Sequence, residues 1–224
     1  LEGRQASEPM AGCRSEGEDD MRTLARVLLS GGMDSTLCAV WASQTFRNVD
    51  AVAFDYGQRH AKELDAARQI AQRLGLPLTE RKVRWLKGNL VGDGDDLTAQ
   101  GAVVEGRNGA FLAAALAPSP APSLLIFGAC ADDQAVFEDC RPEFFNRTNE
   151  RVLSAHGATV LTPLIRWHKK DIAAVLVREA PELLALTWRC YSGGKYPCGW
   201  CGACIARSRG FIMAGLDDPQ PANP

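Results

Sequence analysis

From Leu24 onward the chain switches repeatedly between two hydrophobic spacings. Short continuous apolar runs at Leu24 to Leu29, Val49 to Phe54 and Leu124 to Phe127 read as buried strands, and Leu78 to Trp85 as a further strand. Between them, stretches with the 3.6-residue spacing of a one-sided apolar face predict helices over Ser35 to Phe46, His60 to Leu74 and Asn108 to Ala117. A last helix is expected over Arg141 to His156, with Pro142 in its first turn, where a missing N–H does no harm. Gly75 and Pro77 stop the second helix, and the Pro-rich stretch 118–123 separates the third from the next strand. Strand and helix in alternation predict an α/β fold, a doubly wound parallel sheet covered on both faces. No internal repeat interrupts this order.

Two segments break the pattern. Residues 1–20 carry Gly3, Gly12, Gly17 and an acidic run from Glu16 to Asp20 with almost no large apolar residue, so they are expected to be an unstructured or non-native extension, with translation starting at Met10 or Met21. Residues 86–106 hold five glycines and three aspartates, the composition of a mobile loop over the sheet edge.

Composition narrows the function classes. The chain has 224 residues, with 25 Lys and Arg against 27 Asp and Glu, a formal charge of −2. A balanced charge disfavours a protein that clamps nucleic acid by bulk electrostatics. The chain has no apolar run of about 18 residues and no apolar signal region near its start, so no membrane partner and a cytoplasmic location are expected.

The most informative string follows the first strand: Leu29-Ser30-Gly31-Gly32-Met33-Asp34-Ser35-Thr36. Two glycines let backbone approach a ligand closely, and successive N–H groups at a helix start cradle phosphate. Ser30, Ser35 and Thr36 offer hydroxyls, and Asp34 suits a magnesium ion. The string is neither a Walker loop nor Gly-x-Gly-x-x-Gly. A plain strand-to-helix turn with Asp34 or Ser35 as cap is the competing reading.

Ser-Gly-Gly-x-Asp-Ser after the first strand resembles the pyrophosphate loop of the ATP pyrophosphatase (PP-loop) superfamily. Within it the chain is most similar to the 7-cyano-7-deazaguanine synthase family. That likeness is carried also by Phe54-Asp55-Tyr56-Gly57-Gln58-Arg59-His60, Gly106-Arg107-Asn108, Glu138-Asp139-Cys140-Arg141, Thr162-Pro163-Leu164 with Trp167-His168-Lys169-Lys170-Asp171, and a cysteine cluster followed by Arg207-x-Arg-Gly-Phe211. The resemblance runs from about Leu24 to Phe211 and implies a sheet of the adenine-nucleotide alpha-hydrolase-like type with a small C-terminal zinc-binding loop of four cysteines.

In open parallel sheets ligands bind beyond the carboxyl ends of the strands, where these strings fall. Asp55 and Gln58 are therefore expected at ATP together with the glycine loop, and Arg59 at the substrate; the resemblance implies that Gly106, Arg107 and Asn108 also lie at the nucleotide, with Arg107 offering its fork to phosphate or to the substrate carboxylate. Asp55 and Asn108 are also natural helix caps, and His60 reads more simply as an exposed helix residue. Asp133 and Asp139 are candidates to accept the amine and ring N–H groups of a deazaguanine, and Arg141 to hold its carboxylate. Where the family shows Ser-Gly-Tyr-Pro before Asp-Cys-Arg, this chain has Gln134 to Glu138, a departure in the expected substrate pocket. Lys169 is expected to face the departing pyrophosphate, an ordinary helix-start lysine being the alternative. Asp34, Ser35, Lys169 and Arg107 form the expected catalytic set.

Cys190, Cys198, Cys201 and Cys204 lie within fifteen residues, with glycines at 193, 194, 199 and 202 that permit tight turns. Four sulfurs would fill a tetrahedral zinc ion and leave no open position, so the site is expected to be structural, with an iron–sulfur cluster as the rival. Cys13, Cys38, Cys130 and Cys140 are left over without an implied disulfide. Four thiolates and Zn²⁺ sum to −2, which Arg189, Lys195, Arg207 and Arg209 are placed to offset.

The boundaries expected are 21–186 for the ATP pyrophosphatase domain, 187–216 for the zinc segment and 217–224 for an unstructured tail. The resemblance implies ATP, Mg²⁺ and Zn²⁺ as cofactors, a deazaguanine acid and ammonia as small-molecule partners, and a homodimer. The reaction implied adenylates the carboxylate, converts it with ammonia to the amide, and uses a second ATP to reach the nitrile. Three alternatives stand beside it: a relative that hands the same acid to another amine, including a protein or nucleic acid acceptor; a tRNA sulfur-transfer enzyme; and a zinc-ribbon interaction protein without catalysis.

Overall fold

Five parallel strands in the order β3-β2-β1-β4-β5 form the centre of the protein. The computed structural model describes residues 23–58, 62–83, 106–117 and 120–220. The expectations for residues 1–20, for Arg59 and His60, for the 86–105 loop and for the last four residues lie outside them.

The elements in chain order are β1 (Leu24–Leu28), α1 (Met33–Thr45), β2 (Asn48–Asp55), α2 (Lys62–Leu74), β3 (Leu78–Lys82), α3 (Arg107–Leu116), β4 (Leu124–Ile126), α4 (Pro142–Thr148), β5 (Thr159–Leu161), α5 (Lys169–Glu179), α6 (Pro181–Leu186) and α7 (Gly202–Ala214). Alternation along the strands divides the core. Ala25, Val27, Ala51 and Ala53 pack with α1, α2, α5, α6 and α7, whereas Leu28, Val52, Leu125 and Val160 pack with α3 and α4. The sheet is covered on both faces, the doubly wound arrangement expected. Helix α1 is buried continuously from Leu37 to Ala42, as befits a helix between the sheet and other helices, while α2 buries only Ala66, Ala67, Ile70 and Ala71.

Strand order reverses between β1 and β4. Their carboxyl ends open at the switch point where ligands of such folds bind.

Three expectations are corrected. The helix predicted from Arg141 to His156 is regular only over α4; a π turn at Asn149–Leu153 and a 3₁₀ turn at Ser154–His156 follow. Asn149 explains the break, because its amide donates to Val160 O (3.2 Å) and accepts from Val160 N (2.7 Å), tying the chain to β5. The cysteine cluster is not wholly a loop, since Cys204 lies in the first turn of α7, whose Phe211 enters the main core. Residues 217–220, expected to be part of an unstructured tail, are anchored instead. Asp218 accepts from Arg207, and Gln220 offers its carbonyl to Arg189 and its amide to Ala185 O.

One charged side chain is buried in the middle of β1. Arg26, 1% exposed, makes a two-pronged ion pair with Asp50 on β2 (Nε–Oδ1 2.8 Å, Nη2–Oδ2 2.6 Å) and donates to Ala115 O at the end of α3 and to Pro120 O. These partners replace the water that a buried guanidinium loses. Removing one partner of such a pair leaves an uncompensated charge. Asp50→Ala is therefore expected to lower the unfolding free energy by about 3 kcal/mol in urea denaturation, with most of that recovered in the double variant Arg26→Met/Asp50→Leu.

Candidate active site

The loop after β1 is shaped before any ligand arrives. Gly31 holds a left-handed φ of +85°, and a Cβ there would overlap Glu63 O, so only glycine fits. Leu29 N donates to Val52 O (2.9 Å) and Thr36 N to Gly32 O (3.0 Å). The Ser35 hydroxyl donates to Gly32 O (3.0 Å) and lies 3.0 Å from Ser30 Oγ. Thr36 is fully buried and its hydroxyl donates back to Gly32 O (2.8 Å), so it braces the loop from inside. No side chain among the described residues caps α1, whose first N–H groups stand at the cavity. An uncapped helix start of this kind attracts anions. Gly128, after β4, lets the second loop close on it; a Cβ there would stand 2.9 Å from Ser35 N.

Three acidic groups and one cation meet above this helix start. Lys169, the first residue of α5, extends Nζ to Asp34 Oδ2 (2.6 Å) and Asp133 Oδ1 (3.2 Å). Its own backbone N–H donates to Asp132 Oδ2 (2.6 Å), and Asp132 Oδ1 lies 3.0 Å from His168 Nδ1. Burial favours the neutral form of Lys169, but Asp34 and Asp133 outweigh it and raise the ammonium pKa well above the ordinary lysine value. Burial likewise pushes the Asp34 carboxyl up against the pull of Lys169. Asp34 Oδ1 is buried and has no hydrogen-bond partner among the described residues. A carboxylate oxygen left in this state suits a hard divalent cation.

This cluster forms one end of a cavity of about 330 Å³. Of the expected residues, Leu29, Ser30, Gly32, Met33, Asp34, Ser35, Gln58, Arg107, Asn108, Asp133 and Lys169 line it. Gly31 and Thr36 shape the loop from behind, and Gly106 supplies the left-handed turn before α3 with φ +70°. Asp55 turns away to accept from Gly57 N (3.1 Å), and Gln58 folds onto Phe54 O and Tyr56 N.

The substrate candidates are less gathered. Asp139 accepts from Asn108 N (3.2 Å) at the start of α3, so it serves as that helix's cap, and Asn108 does not. Arg141 is half-exposed, donates to Gln134 O (3.1 Å), lies beside Glu138 and does not line the cavity. The cavity's other end is instead aromatic. Phe54 and Phe111 stack at 4.6 Å, Tyr56 tilts against Phe111 at 5.3 Å, and Arg107 lies 6.0 Å from the Phe137 ring. Arg107 Nε is buried without a partner among the described residues. Cys130 and Cys140 are nearby but protonated: burial pushes both thiols up, Cys140 to about 12, and Cys130 donates to Asp133 (3.2 Å).

Cys190, Cys198, Cys201 and Cys204 bring their sulfurs within 4.8 Å of one another, and none is in a disulfide. Four ligands about 2.3 Å from one ion would stand roughly 3.8 Å apart, so the set fits a tetrahedral metal. A hydrogen bond from the Cys204 thiol pulls Cys201 down to about 5, and the same bond keeps Cys204 protonated. A metal ion would displace that proton.

Residues 24–215 match the family described as queuosine biosynthesis protein QueC. The chain belongs to the QueC family. It is 36% identical over 225 residues to the 7-cyano-7-deazaguanine synthase of Prochlorococcus marinus strain MIT 9303, across 89% of this chain and 96% of that one. With the 7-cyano-7-deazaguanine synthase of Gloeobacter violaceus it shares 39% over 223 residues, across 87% and 94%. Among solved structures, the U34-tRNA thiolase NcsA from Methanococcus maripaludis is 18% identical with a TM-score of 0.49, across 92% of this chain and 70% of that one. As a QueC protein the chain is an enzyme of queuosine biosynthesis.

Sequence reasoning on this QueC chain missed Tyr56, Phe111, Phe137, Trp188 and Tyr191, all of which line the cavity. An apolar residue on a strand end or helix face carries no local sign that it faces a ligand. Gly210 is a further omission, since its missing Cβ lets α7 approach α5, where an added Cβ would stand 2.8 Å from Lys169 Cβ. Lys169→Met, which leaves Asp34 and Asp133 without their cation, is expected to cut turnover roughly 100-fold to 1,000-fold in steady-state kinetics, the usual scale for a lost electrostatic contact. Gly210→Ala, by displacing Lys169, should lower turnover in the same direction but by less.

Proposed function

We propose that this QueC enzyme converts 7-carboxy-7-deazaguanine and ammonia to 7-cyano-7-deazaguanine at the cost of two ATP. The observation that carries this reading is a single cavity with an anion-binding helix start and Lys169 at one end and an aromatic lining with Arg107 at the other. The first end suits a polyphosphate and the second a flat heterocycle.

A carboxylate oxygen of the substrate attacks the α-phosphorus of ATP, and pyrophosphate leaves with the electron pair of the broken P–O bond. Ammonia then displaces AMP from the acyl carbon and loses a proton, giving the amide. The amide oxygen attacks the α-phosphorus of a second ATP and expels a second pyrophosphate, and loss of AMP with two protons leaves the nitrile. The carboxylate's two oxygens depart on two AMP molecules. Through these steps Ser30, Ser35 and the α1 N–H groups hold the leaving phosphates, and Lys169 stabilises the charge that develops on them. Asp34, with its open Oδ1, would hold magnesium, which shields the polyphosphate charge. Arg107, whose Nε has no partner among the described residues, faces the acid from the aromatic end and takes the role expected of Arg141. Gln58 and Asn108 lie along the nucleotide, and Asp133 supports Lys169 beside the substrate amine.

The four cysteines bind zinc, which ties residues 190–204 into one compact unit at the start of α7. Metal analysis should find one zinc per chain in a colourless protein, and a Cys201→Ser variant should lose it. The enzyme works in the cytoplasm as a homodimer; Trp200, Ile205, Ile212 and Met213 give the metal segment an exposed apolar face suited to a second copy. No helix of the described residues is long and apolar enough to cross a membrane.

Incubation with ATP, 7-carboxy-7-deazaguanine and ammonia tests the reading. Pyrophosphate release and a product with the mass of the nitrile are expected. Absence of pyrophosphate overturns it, and a product mass showing transfer to a different amine replaces ammonia as the acceptor.

A further inference from the structure

The metal segment contacts the phosphate loop directly. Trp188 N donates to Gly31 O (2.9 Å), at the glycine whose left-handed turn shapes the loop. Two residues further on, Cys190 is the first metal-site cysteine, and the Trp188 indole N–H donates to its carbonyl (3.2 Å). Trp188 thus touches the anion site with its backbone and the metal site with its ring.

Lys62, at the start of α2, closes this arrangement from outside. Its Nζ stands 4.4 Å from the Trp188 ring centroid and donates to Gly194 O (2.6 Å) and Lys195 O (2.7 Å). Those two carbonyls belong to the turn between Cys190 and Cys198, which is tied back by Cys198 N donating to Cys190 Sγ (3.2 Å). The neighbouring Glu63 carbonyl packs under Gly31, so Lys62 and the phosphate loop share one helix turn as their support. The same metal segment walls the cavity with Trp188, Tyr191, Ala203, Ala206 and Arg207.

We propose that metal occupancy of the four-cysteine site and nucleotide binding at the phosphate loop are thermodynamically coupled, with Lys62 as the positioning residue that clamps Trp188 between them. The proposal rests on the ATP reading above. When zinc gathers the four sulfurs it fixes the 191–197 turn, which presents its carbonyls to Lys62. Lys62 then holds the Trp188 ring, and the Trp188 N–H holds Gly31 in the conformation that aims the α1 N–H groups at phosphate. With the metal gone, a glycine-rich turn is released, the clamp loses its carbonyl partners, and the loop's ordering must be supplied by the nucleotide. Coupling of this kind is reciprocal: zinc tightens nucleotide binding by the factor by which nucleotide tightens zinc.

Calorimetric titration of the full chain with the α,β-methylene analogue of ATP and magnesium tests this. Four samples are compared: zinc-loaded wild type, zinc-free wild type, and zinc-loaded Lys62→Met and Lys62→Arg with metal content measured. Roughly tenfold weaker binding is expected for the zinc-free protein and for Lys62→Met, the usual scale for coupled sites, with recovery in Lys62→Arg, which keeps a cation over the ring and carbonyls. Competition against a chromophoric chelator should show the analogue tightening zinc by the same factor in wild type and not in Lys62→Met. If the zinc-free protein unfolds, the last two comparisons decide, because Lys62→Met retains all four ligands. Equal analogue affinity in wild type and Lys62→Met, with no shift in zinc affinity, overturns the coupling alone. No binding to zinc-loaded wild type overturns the ATP reading and the coupling with it.

Discussion

The ammonium of Lys169 is the contact around which the site is organised. It joins Asp34 at the start of α1 to Asp133 after β4, and it is itself the first residue of α5. Like charges on the two aspartates would drive these segments apart in a low-dielectric cleft, so the cation between them is a condition for the loops to close. Asp132 completes the arrangement by accepting the Lys169 backbone N–H, so adjacent aspartates hold the main chain and the side chain of one residue. The sheet's reversal between β1 and β4 brings the two acidic segments together, and the fit of Gly210 against Lys169 sets the third.

The resulting cavity separates two kinds of chemistry. At one end are backbone N–H groups, hydroxyls and a cation, fixed dipoles and charge of the kind that suits phosphate without reorganisation. At the other, stacked rings and the buried Arg107 offer a flat apolar surface and a guanidinium fork. In the proposed reaction, transfer between an ATP phosphorus and a carboxylate needs both sets of groups at once, and their position in one cleft accords with that reading.

Much of this was legible in the sequence where residue type and position specify one another. The Ser-Gly-Gly-x-Asp-Ser string placed Gly31, Asp34 and Ser35 correctly at the helix start because few other uses exist for that spacing. The four cysteines converged as their two-residue spacers imply. Arg141 and Asp139 were harder, since a charged residue in a loop near the site has no intrinsic direction, and here one faces the surface and the other caps α3. The break after Thr148 was invisible because it depends on Asn149 finding β5, eleven residues away. The anchoring of Asp218 likewise depends on a partner, Arg207, that only the folded chain presents.

Arg26 has a consequence for how the sheet assembles. Its neighbours on β1 are Ala25 and Val27, which face Val49 and Ala51 on β2, small and similar enough to interchange their positions with modest loss of packing. Sliding β2 by one residue would keep every backbone bond equivalent while turning Asp50 to the opposite face. The Arg26 charge would then be stranded among apolar neighbours. A buried ion pair in register across the two central strands thus selects against mispaired sheets, and the switch-point cleft is in place only when that selection has been made.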